Sequence, residues 1–222
     1  MFLADMAIDV SGVPKEDTYF ALFSISSILR PKFTAEFYKK FPKLKHSKWK
    51  GTKLDEKQLF EIIKFFDEYK AHSYVIKFLR NDWKTWKTKL PVEPLFNERI
   101  HAIFYYKLIK ASCWRGLKKE EQIYNISVDE ETNVKMNSLM ETCNRLCKGG
   151  RINVSFNKTR AKYSEMIKFA DYAAAAYRKV NEKKLKELKH FKIANNKIIY
   201  KELNKAFRLY KKTKLKNKFK EI

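Results

Sequence analysis

The apolar positions along this chain fall into short continuous runs near the start and helically spaced sets further on. LADMAIDV and TYFALFSISSIL are two nearly unbroken apolar runs, and SGVPKED between them supplies the Gly, Pro and Asp of a turn. Together they predict a β-hairpin with a loop longer than two residues. A Lys-rich stretch, KKFPKLKHSKWKGTK, follows. In LDEKQLFEIIKFFDEYK the period changes, and Leu59, Ile62, Ile63 and Phe66 recur on one helical face. SYVIKFL predicts a third strand, and PLFNERIHAIFYYKLIKAS a long helix with Pro94 in its opening turn. IYNISV alternates as a strand does and runs into Asp129-Glu130-Glu131. NVKMNSLMETCNRLCKGG is a helix closed by a glycine pair, RINVSF a fifth strand and YSEMIKFADYAAAAYRKV a further helix. Five strands separated late in the chain by helices predict an α/β fold, a mixed five-stranded sheet flanked by helices.

Composition changes this picture at one end. The 222 residues are 45% hydrophobic, enough for a real core, with only five Gly and five Pro. From Glu182 to Ile222 there are 15 Lys and Arg against 4 Asp and Glu. This predicts an α/β domain over residues 1–181 and a Lys-rich, basic helical extension over residues 182–222. Leu185, Leu188, Ile198, Leu203 and Phe207 give the extension an apolar side, as in a packed amphipathic helix with a solvated basic face.

The whole chain carries a formal charge of +24, which favours a polyanionic partner. Nucleic acid leads; an anionic membrane surface, an acidic protein and a generally Lys-rich proteome are the alternatives. The longest apolar run has eleven residues, against the roughly 20 of a membrane span. With no signal-peptide pattern either, the chain reads as soluble and cytoplasmic. Cys113, Cys143 and Cys147 make no disulfide framework and no zinc spacing. No Gly-rich phosphate loop is present, which argues against a nucleoside triphosphatase. His46, His72, His101 and His190 lack a defensible Ser or Cys partner for nucleophilic catalysis.

Carboxylates offer more. Asp9 lies inside the first apolar run, where strand alternation puts it on the face of Ala7, opposite Ile8 and Val10. A buried carboxylate needs a partner: a metal ion, a lysine such as Lys45, or hydrogen-bond donors. Asp129 ends a strand, where open α/β sheets place their chemistry. In the last long helix Tyr163, Met166, Ile167, Ala170, Ala173, Ala174 and Tyr177 form a stripe. Asp171 lies about 100° from its centre, on the flank that reaches a sheet edge. Three such carboxylates suit one or two Mg²⁺ or Mn²⁺ ions, which prefer oxygen ligands, and two-ion sites cleave phosphodiesters. RNDWKTWKTK interleaves Trp83 and Trp86 with Lys84 and Lys87. It is either an edge that stacks unpaired bases or a loop that folds its tryptophans onto the core.

The same residues carry a resemblance. Asp9, Ser11 and Gly12 match the Asp-x-Ser-Gly opening of the family called domain of unknown function thirty-eight hundred. KLKHS, through Lys45 and Ser47, resembles its second motif, and Asp129 in ISVDEE its third. AKYSEMIKFAD resembles the last, through Lys162, Ser164, Ala170 and Asp171. Lys43 stands where the family has Glu, and Lys168 where it has Gln. The resemblance covers residues 6–180 and implies a ribonuclease H-like fold and a metal-dependent nuclease. It implies Asp9, Asp129 and Asp171 as metal ligands, with Lys45 steadying a phosphate or a ligand. Such nucleases usually use four carboxylates; three are matched, and Glu130 and Glu165 are the nearby substitutes. Lys43, Lys48, Trp83, Lys84, Trp86, Lys87 and Lys168 are the expected nucleic-acid contacts. Three functions follow as expectations: a Mg²⁺/Mn²⁺ nuclease for RNA or DNA, a non-catalytic nucleic-acid-binding protein with a lapsed site, and a protein-interaction module.

Overall fold

The structure, a computed structural model, describes residues 4–11, 17–45, 50–82, 96–113, 123–130, 135–149, 152–160 and 163–194. Its centre is one mixed sheet in the order β5-β4-β1-β2-β3-β6. Strand β1 (Ala4–Ser11) pairs antiparallel with β2 (Thr18–Ser26), which is the hairpin the first two apolar runs predict. Strand β2 pairs antiparallel with β3 (His72–Phe78). Strand β4 (Ile123–Asp129) lies parallel to β1, and β5 (Asn153–Thr159) parallel to β4.

Helices cover both faces. On one face lie α1 (Arg30–Lys40), α2 (Glu56–Glu68) and α5 (Glu165–Lys179). On the other lie α3 (Phe96–Ser112) and α4 (Met136–Gly149), the latter joining β4 to β5 as a crossover. Because β2 is central and covered on both sides, its residues are buried almost without a break, and its sequence reads as continuously apolar. Tyr19, Ala21 and Phe23 enter the core under α5, while Phe20 and Leu22 enter the core under α3. The α5-side core is strongly aromatic. Phe23 and Phe169 have ring centroids 5.1 Å apart, and Phe33 packs edge-on to Phe169 at 5.2 Å. Each such pair contributes about 0.5–1.5 kcal/mol beyond its buried area.

Two features depart from the sequence reading. The helix α1 is not anticipated, although Pro31 in its first turn and Phe33 and Phe37 one turn apart mark it. The sheet has six strands, not five. The sixth, β6 (Phe191–Ile193), follows the short helix α6 (Glu182–Lys186) and pairs parallel with β3. Both fall in the segment expected to be purely helical, and Leu185 and Phe191 are buried in the core. A three-residue strand inside a lysine-rich segment is too short to carry a period of its own. The remainder of that extension, 195–222, lies outside the described residues. All three cysteines are free thiols. Among the described residues no helix is long and apolar enough to cross a membrane.

Candidate active site

The pleat of β1 places Ala7 in the α5-side core and Ile8 in the opposite one, so Asp9 shares the α5 face. Strand β1 pairs with β4 in a register that sets Ile8 beside Val128. The next positions are therefore Asp9 and Asp129, neighbours on adjacent parallel strands about 4.8 Å apart and directed to the same face. Both residues are buried. Helix α5 crosses that face, packed mainly on β1 and β2, and brings Asp171 over the same end of the sheet. Ser164 starts α5 correctly by accepting a hydrogen bond from the Ile167 N–H at 3.4 Å.

Electrostatics link the three. Burial, then the charges of Asp171 and Asp129, hold the Asp9 carboxyl well above the usual carboxylate range. The Val10 N–H and the charge of Lys50 oppose this. Burial likewise raises Asp171, and Asp129 adds to the rise, against the Gly51 N–H and Lys50. Three carboxylates thus share one low-dielectric corner, and among the described residues Lys50 is a lysine whose charge acts on both Asp9 and Asp171.

The sequence reading missed the segment that supplies this lysine. Gly51 N–H donates to Asp171 Oδ2 at 2.7 Å, and Lys179 Nζ donates to the carbonyls of Thr52 and Leu54, each at 2.7 Å. The short 3-10 turn Gly51–Lys53 is thereby pinned to α5. Only glycine serves at position 51: a Cβ there would stand 2.6 Å from the Ala175 Cβ and 2.9 Å from the Asp171 carbonyl oxygen. A lone glycine closing a lysine run was the available signal for a close backbone approach.

The other expected site residues are dispersed. Lys45 ends the 3-10 turn Pro42–Lys45, and its carbonyl accepts from Lys168 Nζ at 3.5 Å. Burial lowers the Lys168 ammonium. Among the described residues, Lys50 is a cation whose charge lowers Asp9. Lys43 lines a separate cavity of about 350 Å³ between that turn and α2, with Leu44, Leu54 and Ile62. Of the two candidate fourth carboxylates, Glu130 pairs with Arg160 at 3.6 Å and Glu165 lines a cavity beside α1. Lys48, Trp83, Lys84, Trp86 and Lys87 lie outside the described residues, as do Gly12, Ser47 and Lys162.

The donor set suits a hard divalent cation: oxygen-only, buried and short of positive charge. Among the described residues no three His, Cys, Asp or Glu side chains stand close enough to hold an ion together. Mg²⁺ takes only one or two carboxylates with waters and a substrate phosphate, the number that Asp9 and Asp129 offer on adjacent strands.

A mixed sheet with this strand order, helices on both faces and acids at the ends of β1 and β4 defines a ribonuclease H-like fold. Ribonuclease HII from Archaeoglobus fulgidus, solved in complex with PCNA, is similar at a TM-score of 0.51 and 14% identity, over 85% of this chain and 77% of that one. Ribonuclease H2 from Pyrococcus horikoshii OT3 is similar at 0.51 and 12% identity, over 84% and 75%. At such identity the likeness shows the fold. No family model matches the sequence, so the resemblance to the domain of unknown function thirty-eight hundred family rests on its short motifs; no curated protein matches either.

Proposed function

We propose that this chain is a Mg²⁺- or Mn²⁺-dependent nuclease that hydrolyses phosphodiester bonds in RNA or DNA, acting in the cytoplasm. The observation that carries this reading is the convergence of Asp9, Asp129 and Asp171 from two adjacent strands and a helix onto one end of a ribonuclease H-like sheet. Asp9 and Asp129 would hold the ion, and Asp171, oriented by the Gly51 N–H, would complete its surroundings. When bound, such an ion supplies charge for the attacking water and the leaving oxygen. Lys50 sits where it meets the charge of the scissile phosphate. Burial that raises Asp9 also makes proton release accompany cation binding, so affinity for the ion rises with pH. The family resemblance supports the same ligand set, with Lys45 as a phosphate contact beside it, while Lys168 departs from the family's Gln.

The test is incubation of labelled single- and double-stranded RNA and DNA with Mn²⁺, Mg²⁺ or chelator, beside Asp9→Asn. Metal-dependent cleavage that is lost in Asp9→Asn supports the reading. Cleavage that survives in the pure variant rejects the site. A second reading draws on Lys50, a cation that stands by the carboxylates and lowers both Asp9 and Asp171. On that reading the fold is kept for grip, and nucleic acid binds without cleavage and without dependence on divalent ions.

A further inference from the structure

A cavity of about 840 Å³ runs along α1 and reaches the start of α5. Pro31, Thr34, Ala35, Tyr38 and Lys39 line it at i, i+3, i+4, i+7 and i+8, so a whole helix face forms its wall. Arg30 stands at one end and Lys45 at the other. At the Lys45 end, Lys168 Nζ meets the Lys45 carbonyl, and Lys168 lies one turn before Asp171 on α5, about 4.5 Å of helix. The Lys45 end of the cavity thus meets Lys168, one helical turn from Asp171.

Its chemistry is that of an anion site. Two acids line it, Asp5 and Glu165. Asp5 is already matched by Arg30 at 3.3 Å and by Asn125 Nδ2 at 3.2 Å. Arg30 remains 40% exposed, with further donors for a second anion. Lys39, which lies 3.9 Å from Glu36, and Lys45 bring the cations to three. Helix α1 has no side-chain cap and no acid in its first turn, and Asp5 reaches that end through Arg30.

We propose that this trough seats the sugar–phosphate backbone of one nucleic acid strand, running from the carboxylate site toward the N-terminus of α1. The inference rests on the nucleic-acid part of the reading above, and not on cleavage. From Asp9 back to Asp5 is four residues of strand, about 13 Å, so the trough grips the strand away from the bond at the carboxylates. Phosphate oxygens meet Arg30, Lys39 and Lys45, and Tyr38 offers a ring face to a base.

The experiment follows the affinity of the full chain for a fluorescein-labelled single-stranded oligonucleotide in chelator, against salt concentration. Each lost phosphate contact lowers the slope of log K against log salt by about 0.7. Lys39→Gln with Lys45→Gln is expected to lower the slope by about 1.4, while Lys64→Gln with Lys110→Gln, exposed on α2 and α3, leaves it near the starting value. Equal slopes in the two lysine pairs, or an unaltered slope in the first, overturn the proposal. A lowered slope in a chain that cleaves nothing supports the trough and rejects the nuclease.

Discussion

Asp9→Asn keeps the shape of the side chain and removes one of three mutually repelling charges, so in chelator it is expected to stabilise the fold at neutral pH. Asp171 is the larger of the two charges that raise Asp9 and Asp129 the next, and a pair of unit charges about 5 Å apart repels by roughly 3 kcal/mol at an effective dielectric of ~20. Lys50 offsets part of this, leaving about 1–3 kcal/mol. For a chain of this size that is about 2–10 °C in Tm. The pH dependence has a definite sign. The folded-state pKa values of Asp9 and Asp171 are raised, so the stability they contribute is fully present below the unfolded carboxylate value and is lost as pH rises through the folded values. The gap between variant and parent therefore opens as pH rises and closes on acidification. Thermal melting by circular dichroism in chelator, from pH 4 to 8, reads it directly. A variant that melts at or below the parent at pH 7.5, or a gap that ignores pH, would show that Asp9 is a structural carboxylate with its own partner. Added Mg²⁺ is expected to raise the Tm of the parent and not that of the variant.

Gly51→Ala forces a Cβ to 2.6 Å from the Ala175 Cβ and is expected to cost about 1–3 kcal/mol in urea unfolding, with a larger loss of cleavage because Asp171 shifts. Lys179→Met removes both bonds that hold the Thr52 and Leu54 carbonyls; cleavage falls by more than the loss of stability accounts for, read as kcat against Tm. Phe169→Ala opens the centre of the aromatic core and is expected to cost about 3–5 kcal/mol. His101 is buried against Phe20, and burial lowers its pKa to about 4. Unfolding lets it take up a proton, so its stabilisation is present above about pH 6.5 and is lost as pH falls toward 4, by up to about 3 kcal/mol. In His101→Gln that part of the acid slope disappears from denaturant midpoints.

The placement of the three aspartates was legible because each depends on a local period. The two-residue alternation of β1 puts Asp9 on the Ala7 face, Asp129 ends an alternating run, and the 3.6-residue period of α5 sets Asp171 on the flank of its stripe. Lys50 was not legible, because its place comes from contacts more than a hundred positions apart: Gly51 on Asp171, and Lys179 on Thr52 and Leu54. Helix α1 hid for another reason. Its solvent side and its lysines merge with the basic stretch that follows, and only Phe33 and Phe37 are fully buried. Strand β6 completes the sheet with three residues, below any length at which a period is visible.

Single-turnover cleavage of labelled RNA and DNA against Mn²⁺ concentration, with Asp129→Asn beside the parent, reads whether Asp9, Asp129 and Asp171 form one metal-dependent hydrolytic site, as we claim. Cleavage is expected to saturate with Mn²⁺, to vanish in chelator, and to be lost in Asp129→Asn while oligonucleotide affinity stays within about threefold, since no phosphate-binding cation is removed. Cleavage by Asp129→Asn at the parent's rate, or no cleavage of any substrate at saturating Mn²⁺ by a parent that binds it, would contradict the claim.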